Sequence, residues 1–222
     1  MASKALEDYL KIIYKLEDNS SEKGVQTSVI AERLSISQAS VSNMLKKLAE
    51  RDFISYEPYY GVSLTSSGRK IALNMVRKHR ILELYLVERL NYSWDEVDEE
   101  AEVLEHAISD KLANRMWDDL EQPTHDPHGS PIPSIEGELI KQDLVPLVEV
   151  PIEQKSQVVR IKNRSPEELR YLANIGLTTG VSLKIKNMAP LNGPLLVEIE
   201  DENLHAIDYR LAMALYVSKV KS

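Results

Sequence analysis

A short acidic segment that ends in a histidine has the residue types of a metal site. Residues 98–106 have the sequence DEEAEVLEH, and one side of the helix they predict carries Asp98, Glu102, Glu105 and His106. Carboxylates three or four residues apart on a helix repel each other, and the helix dipole stabilises acidic residues only in the first turn. A divalent cation would offset that repulsion. The alternative for this segment alone is an acidic face exposed to water.

Two other segments place possible ligands at short spacing. His79 and Glu83 are four residues apart in a long helix predicted from Thr65 to about Leu90, a spacing that lets two side chains hold one ion. Asp126 and His128 lie two residues apart in a Pro-rich segment that cannot be helical. His79 has basic neighbours and could instead face solvent or phosphate, and the Pro-rich segment could be an inert connector.

Composition limits the chemistry that is available. The 222 residues are 43% hydrophobic and 28% charged, as in globular proteins, and contain no cysteine, which excludes disulfides, thiolate catalysis and cysteine-based zinc or iron–sulfur sites. No run of 18 apolar residues and no leader peptide is present, so we expect a cytoplasmic protein that does not bind membranes. Residues 1–80 carry 13 Lys/Arg and 9 Asp/Glu (+4), and residues 81–222 carry 14 and 26 (−12), which suggests a basic DNA-reading part on an acidic body.

The N-terminal third has the order of elements of a winged helix-turn-helix. Apolar residues at helical spacing predict a first helix with Asp8 on its polar side, where an ion pair with a neighbouring lysine is the simplest interpretation. Helices are predicted at 27–34 and, after a Ser37 cap, at 38–50, and short strands at 53–56 and 62–64 flank a wing-like turn at 58–61. The alternative is part of an α+β enzyme domain.

The second of these helices presents short polar side chains near its start and lysines further along. Such residues suit base edges in the major groove and the phosphates beside it. The residues predicted to face DNA are Thr27, Ser37, Gln38, Ser40, Ser42, Asn43, Lys46, Lys47 and Tyr60.

The remaining chain predicts a helical region and then a small β domain. Ser93 and Glu96 form a capping-box pattern with no Pro or Gly until Pro123, which predicts one helix from Trp94 to about Leu120. Strands are predicted at 158–162, 181–185 and 195–199, with a short helix after Ser165-Pro166. The fold class is therefore mainly α with a small β domain. The predicted domains are 1–64 (winged helix-turn-helix), 65–145 (helical) and 146–222 (a small β-barrel).

The whole order of motifs resembles the diphtheria toxin repressor family of metal-dependent bacterial regulators. The strings that carry the resemblance are EDYL at 7–10, RKHR at 77–80, EAEVLEH at 100–106, SD at 109–110 and PHGSPIP at 127–133. The resemblance implies that residues 65–145 bind metal and form the dimer. It also implies that the C-terminal β domain is SH3-like, as in FeoA proteins.

The resemblance also implies ligand sets. The implied first metal site consists of Asp8, Glu102, Glu105 and His106. The implied second site consists of His79, Glu83, Asp126 and His128. Possible further ligands are Asp98, Glu167 and Glu168.

The implied effector is Mn²⁺. Asp8 stands where iron-responsive members have methionine and Glu102 where they have cysteine, and both changes replace soft sulfur by hard oxygen. Fe²⁺ is the alternative ion, and Zn²⁺, Co²⁺ or Cd²⁺ could substitute in vitro. Lys11 stands where some manganese-type members place a carboxylate ligand, which argues against a closely bridged metal pair.

We therefore expect a transcriptional repressor, not an enzyme, that controls metal-uptake genes. A homodimer would bind a palindromic double-stranded DNA operator, with metal ordering its two DNA-binding heads. Two alternatives remain from the residues: a metal-independent winged-helix regulator, and a metallohydrolase or di-metal oxidase. The second is disfavoured because neither a nucleophile motif nor a Gly-rich phosphate loop is present.

Overall fold

A computed structural model describes residues 4–17, 24–57, 60–162, 165–200 and 203–219. The described chain divides into two compact units. The first takes its residues from Met1–His79, Glu105–Ile108 and Pro133–Glu138, and the second from Arg80–Leu104, Ser109–Ile132 and Leu139–Ser222. No helix within the described ranges is both long and apolar enough to cross a membrane.

Three helices form the helix-turn-helix of the first unit: α1 (Lys4–Glu17), α2 (Thr27–Leu34) and α3 (Gln38–Glu50). The predicted bounds of α2 and α3 are confirmed. Between them Ser35 adopts a left-handed conformation at φ 54°, and its N–H closes the end of α2. The Ser37 hydroxyl then accepts the Ser40 N–H and starts α3. The inner sides of the helices bury Leu10, Ile13, Ile30, Val41, Leu45 and Leu48.

A two-stranded hairpin follows the helix-turn-helix. Strands β1 (Ile54–Glu57) and β2 (Gly61–Leu64) pair antiparallel, as predicted, and Val25 adds a bridge to Val62 on β2. Residues 58 and 59 of the predicted turn lie outside the described residues, whereas Tyr60 is 73% exposed. This is the wing of a winged helix-turn-helix, and α4 (Ser66–Leu90) begins directly after it.

The single helix predicted from Trp94 to about Leu120 is wrong, because two helices occupy this region. Helix α5 (Val97–Leu104) ends before Glu105, and α6 (Asp110–Asp119) begins after a cap in which the Ser109 hydroxyl accepts the Leu112 N–H. Serine competes for backbone hydrogen bonds and starts helices more readily than it continues them. Glu105 and His106 therefore lie on a turn and not on a helix face.

The C-terminal part of the second unit is a six-stranded antiparallel sheet. Its strands are β3 (Val145–Pro146), β4 (Ser156–Ile161), β5 (Ser182–Met188), β6 (Leu195–Ile199), β7 (Asn203–Ile207) and β8 (Leu215–Lys219), in the order β3-β8-β4-β5-β6-β7. Helices α7 (Pro166–Asn174) and α8 (Tyr209–Ala212) complete it. The core contains Leu147, Val158, Leu172, Leu183, Ile185, Val197 and Leu215. The three predicted strands correspond to β4, β5 and β6.

The Pro-rich loop of the second unit is fixed by backbone hydrogen bonds. Asp126 Oδ1 accepts the N–H groups of His128 and Ser130, each at 2.9 Å, and the His128 carbonyl accepts the Ile161 N–H at 2.8 Å. Gly129 has φ +81°, and a Cβ added there would lie 1.8 Å from the Val159 carbonyl oxygen. Only glycine allows this close approach of the loop to β4.

The close approach can be tested by a pair of glycine substitutions. Gly129→Ala should lower the free energy of unfolding by about 3 kcal/mol or more, because it adds a backbone clash to the strain of a positive φ. Gly176→Ala is the control, since Gly176 has a similar φ of +76° but no atom within 4 Å of an added Cβ, and it should cost about 1 kcal/mol. Urea denaturation followed by circular dichroism measures both, and equal losses would contradict the crowding argument.

Candidate metal centres

Glu105 is the buried charge around which the first candidate centre is built. Its side chain is 0% exposed, and both carboxylate oxygens accept hydrogen bonds from Lys11 Nζ on α1, at 2.7 and 2.6 Å. His79 Nδ1 on α4 lies 2.7 Å from Glu105 Oε2. An ionised carboxylate in such a dry position requires nearby positive charge or hydrogen-bond donors.

His106 has one ring nitrogen held by a carboxylate and the other directed at possible ligands. Its Nδ1 lies 2.8 Å from Glu7 Oε2, and since a carboxylate only accepts, Nδ1 carries the hydrogen. In a neutral ring Nε2 then offers a lone pair. It lies 2.7 Å from Asp8 Oδ1 and 3.6 Å from Glu105 Oε1, yet no hydrogen-bond partner is found for it among the described residues.

These three side chains are arranged as the ligands of one cation would be. One ligand atom each from Asp8, Glu105 and His106 lies within 4.8 Å of the others. Oxygen and imidazole nitrogen are donors that fit a divalent first-row metal. The structure thus brings together three of the four residues predicted for the first site. Glu102 is exposed on α5, in the second unit, and its role as a ligand stays a prediction.

A second cluster lies in the second unit around Glu83. His128 Nδ1 is 3.6 Å from Glu83 Oε1, and a carboxylate oxygen of Asp98 is within 4.8 Å of one of Glu83. His128 Nε2 lies 2.9 Å from the Trp94 carbonyl oxygen, which can only accept, so Nε2 carries the hydrogen. In a neutral ring Nδ1 then offers the lone pair. His79, which the sequence pattern grouped with Glu83, has its Nδ1 beside Glu105 in the first unit.

Asp126 belongs to this cluster but also shapes the loop. Its Oδ1 is taken up by the two backbone N–H groups described above, and its Oδ2 lies 3.5 Å from Arg80 Nε. Burial, together with the nearby charge of Glu83, raises the pKa of Asp126 to about 6, against the opposing effects of Arg80 and His128. The main cause is burial, which disfavours the charged form of the carboxyl group, and the negative charge of Glu83 adds to it.

Glu167 and Glu168, the possible ligands from the β domain, lie at the start of α7. Glu168 forms a capping box with Ser165 and lies 3.4 Å from Arg210 Nη2. Hydrogen bonds from the Glu167 backbone and from Ser165 lower the pKa of the exposed Glu167 carboxyl group. Helix capping therefore accounts for both acidic residues, and metal ligation by either stays a prediction.

The predicted DNA-facing residues lie at the start of α2, at the cap and on the helix of α3, and directly before β2 in the hairpin. Most of them are exposed, while Thr27 and Ser42 are half-buried. Ser37 is committed to capping α3, and its hydroxyl lies 2.9 Å from that of Ser40. The exposed members are Ser37, Gln38, Ser40, Asn43, Lys46, Lys47 and Tyr60.

Comparison with known proteins agrees with this architecture. Residues 1–62 match the model of the iron dependent repressor N-terminal DNA binding domain, residues 65–134 its metal binding and dimerisation domain, and residues 145–219 the FeoA domain. The HTH-type transcriptional regulator MntR of Oceanobacillus iheyensis is 35% identical over 118 residues, which are 53% of this chain and 78% of the relative.

Two further similarities extend over nearly the whole chain. The diphtheria toxin repressor of Corynebacterium efficiens is 27% identical over 220 residues, 90% of this chain and 93% of the relative. A solved structure described as a manganese-dependent transcriptional repressor complex with manganese is 37% identical, covers 97% of this chain and 100% of that one, and superposes with a TM-score of 0.89. The chain belongs to the diphtheria toxin repressor family.

Members of the diphtheria toxin repressor family are metal-dependent transcriptional repressors that bind DNA operators and dimerise, and they are not enzymes. The sequence-based expectation of a metal-dependent repressor of the manganese branch is confirmed, and so is the fold class. The metallohydrolase and the metal-independent regulator are no longer needed as explanations.

One candidate functional residue was not singled out from the sequence. Glu7 fixes the His106 ring through the 2.8 Å contact with Nδ1, and such partners of ligating histidines set both tautomer and orientation. The feature of the sequence that could have identified Glu7 is its position next to Asp8 in the EDYL string. Acidic residues near lysines on a helix are common, however, so this position alone does not indicate a function. Only the structure shows that it is directed at an imidazole.

Replacing Glu7 should weaken metal binding without removing a ligand. Glu7→Ala should raise the dissociation constant of the first centre by about 10- to 100-fold, because His106 loses its fixed orientation. Glu7→Gln should have a smaller effect, since its amide oxygen still accepts from Nδ1. Glu32→Ala, which removes an exposed acid on α2, serves as the control. Isothermal titration calorimetry with Mn²⁺ compares all three, and equal affinities would contradict the role.

Proposed function

We propose that this repressor responds to Mn²⁺ and that its first centre is formed by Asp8, Glu105 and His106, with Glu102 as a further ligand. The observation that carries the proposal is the buried His106 Nε2 atom, 2.7 Å from Asp8 Oδ1 with no hydrogen-bond partner in the described chain. A divalent cation bound by both residues would use this lone pair together with the carboxylate oxygen beside it.

The choice of ion follows from the ligand atoms. Every proposed ligand provides oxygen or imidazole nitrogen, and the chain has no cysteine that could provide thiolate. Carboxylate-rich sites suit Mn²⁺, whereas softer ligands favour Zn²⁺ and copper. Fe²⁺ is the nearest competitor, because it prefers similar ligands and follows Mn²⁺ directly in the order of affinities, so availability in the cell also decides between the two ions. Zn²⁺, Co²⁺ and Cd²⁺ are expected to bind in vitro.

The first centre joins two segments that are distant in sequence. Asp8 is part of α1, which packs in the DNA-binding helix-turn-helix, whereas Glu105 and His106 are on the turn that follows α5. When bound, a divalent ion supplies the positive charge that offsets the repulsion among these carboxylates. Sharing of ligands then restricts how α1 can move relative to that turn. Metal binding and the ordering of the DNA-binding head are therefore thermodynamically linked, and each favours the other.

The second centre is proposed at Glu83 and His128, with Asp98 and Asp126 beside them. His128 is held from both sides, because its Nε2 donates to Trp94 and its own carbonyl accepts from Ile161 on β4. A metal ion bound by both Glu83 and His128 would link α4 to the Pro-rich loop. We propose for it a role in stability and in tuning the response of the first centre.

The DNA partner follows from the exposed face of α3. We propose that residues 1–64 bind DNA, that residues 65–145 form the homodimer and that residues 146–222 form the accessory β domain. A symmetric dimer with ordered heads suits a palindromic operator, because half-sites lie at a fixed spacing. Genes for metal uptake are the proposed targets, since a repressor activated by the metal would then close a feedback loop.

Substitution of Asp8 tests the coupling. Asp8→Ala should keep dimerisation but lose the increase in DNA affinity on addition of Mn²⁺, because α1 loses its link to His106. Binding sites are first selected from random duplex DNA with the wild-type protein and Mn²⁺, and affinities are then measured with and without the ion. Asp143→Ala, at an exposed loop position, is the control. Unchanged activation in Asp8→Ala would refute the proposed first centre.

Two substitutions on α3 separate base recognition from phosphate contact. Lys46→Ala should weaken binding to all sequences alike and reduce the slope of log affinity against log salt by about 0.9, as expected for one lost phosphate contact. Asn43→Ala should leave that slope unchanged and cost about 1–3 kcal/mol only on the selected operator. Fluorescence anisotropy at several salt concentrations distinguishes the two. Identical salt slopes for wild type and Lys46→Ala would contradict the assignment.

A further inference from the structure

Two basic side chains flank one tyrosine ring in the β domain. Arg160 on β4 lies opposite Tyr216 on β8 in the strand register, and Lys162 follows two residues later on the same side of the sheet. The guanidinium carbon of Arg160 and Nζ of Lys162 each lie 5.8 Å from the centroid of the Tyr216 ring. The neighbouring residues Ile161 and Leu215 are buried in the core. The core therefore fixes the two strands, and the three side chains form a basic cluster on the opposite side.

Arg160 lacks the ionic partner that other arginines of this domain have. The two further arginines that the structure describes in the β domain are paired, Arg170 with Asp95 at 2.9 Å and Arg210 with Glu168 at 3.4 Å. For Arg160 the described residues provide no acidic partner, and its buried Nε–H has no acceptor among them. A buried donor without an acceptor costs free energy. The contact with the tyrosine ring lies close to the outer limit of about 6 Å for cation–π attraction and supplies no acceptor.

The donors of the cluster select a small oxyanion. A guanidinium offers a planar fork of N–H groups that can bind two oxygens at once, and the Lys162 ammonium adds three donors for a further oxygen. The three terminal oxygens of a phosphate group match this donor set, whereas a carboxylate has only two. A nucleic acid is disfavoured as the ligand, because residues 81–222 carry a net charge of −12 and would repel a polyanion.

We propose that Arg160, Lys162 and Tyr216 form an anion site that binds a phosphate group. All three side chains are half-buried, so a small ligand can reach them from solvent. The two cations donate to its oxygens, the tyrosine ring bounds the site, and a small rotation of the guanidinium gives its Nε–H the acceptor that it lacks. The site shares no residue with either candidate metal centre or with the DNA-facing set. It makes the β domain a receptor for inorganic phosphate or for a small phosphate monoester.

The test follows the Nε–H signal of Arg160 in proton–nitrogen NMR spectra of the full-length protein, without added metal and at constant ionic strength. Inorganic phosphate should shift this signal saturably, with a dissociation constant of about 1 mM or below. Arg160→Gln assigns the signal by its loss, and in this variant the backbone amide signal of Ile161 should no longer respond to phosphate. Lys162→Gln should raise the dissociation constant about tenfold. Arg210→Gln is the matched control and should leave it unchanged, since Arg210 is exposed and already paired.

Other anions identify the ligand class in the wild-type protein. Tighter binding of glycerol phosphate than of inorganic phosphate would support a phosphorylated metabolite as the ligand, and the reverse order would support the free ion. Acetate binding as tightly as phosphate would overturn the assignment to a phosphate group. The absence of a saturable shift, or an equal shift with chloride, would overturn the site, as would equal effects of Lys162→Gln and Arg210→Gln. Because the measurement involves neither metal nor DNA, its outcome is independent of the proposed function.

Discussion

The burial of one carboxylate is the constraint on which the first candidate centre depends. Glu105 is withdrawn from water, and a buried charge of this kind is tolerated only when cations and donors surround it. Its partners come from α1 and α4, so the contacts of a single side chain help to fix two helices. Lys11 supplies the positive charge among these partners.

Both candidate centres prepare a histidine by occupying one of its nitrogens, but they use opposite ones. Glu7 accepts a hydrogen bond from His106 Nδ1 and leaves Nε2 for ligation. The Trp94 carbonyl accepts a hydrogen bond from His128 Nε2 and leaves Nδ1. The acceptor also differs, since a carboxylate makes the first imidazole a more basic ligand than a carbonyl makes the second. The two centres are therefore expected to differ in affinity even for the same ion.

Local signals made the N-terminal elements predictable. The Ser37 cap and the apolar periodicity on either side of it predicted α2 and α3, and the predicted bounds agree with the observed ones. The break between α5 and α6 was missed because, in the sequence alone, a serine that caps a helix cannot be distinguished from an exposed serine within one. Strand β7 was missed because it is an edge strand, largely exposed, without alternation. The proximity of Asp8 to His106 followed from no local pattern and was expected only from the family resemblance, and the Glu7 contact needed the structure.

The ligand atoms proposed for the two centres also determine how sensitive the metal sites are to oxidation. Sensors that use cysteine ligands lose them when peroxide converts the thiolate to sulfenic acid or a disulfide. With carboxylate and imidazole ligands and no cysteine in the chain, neither centre contains a group that enters this series. The thiol redox state of its surroundings therefore leaves the proposed ligand set unchanged.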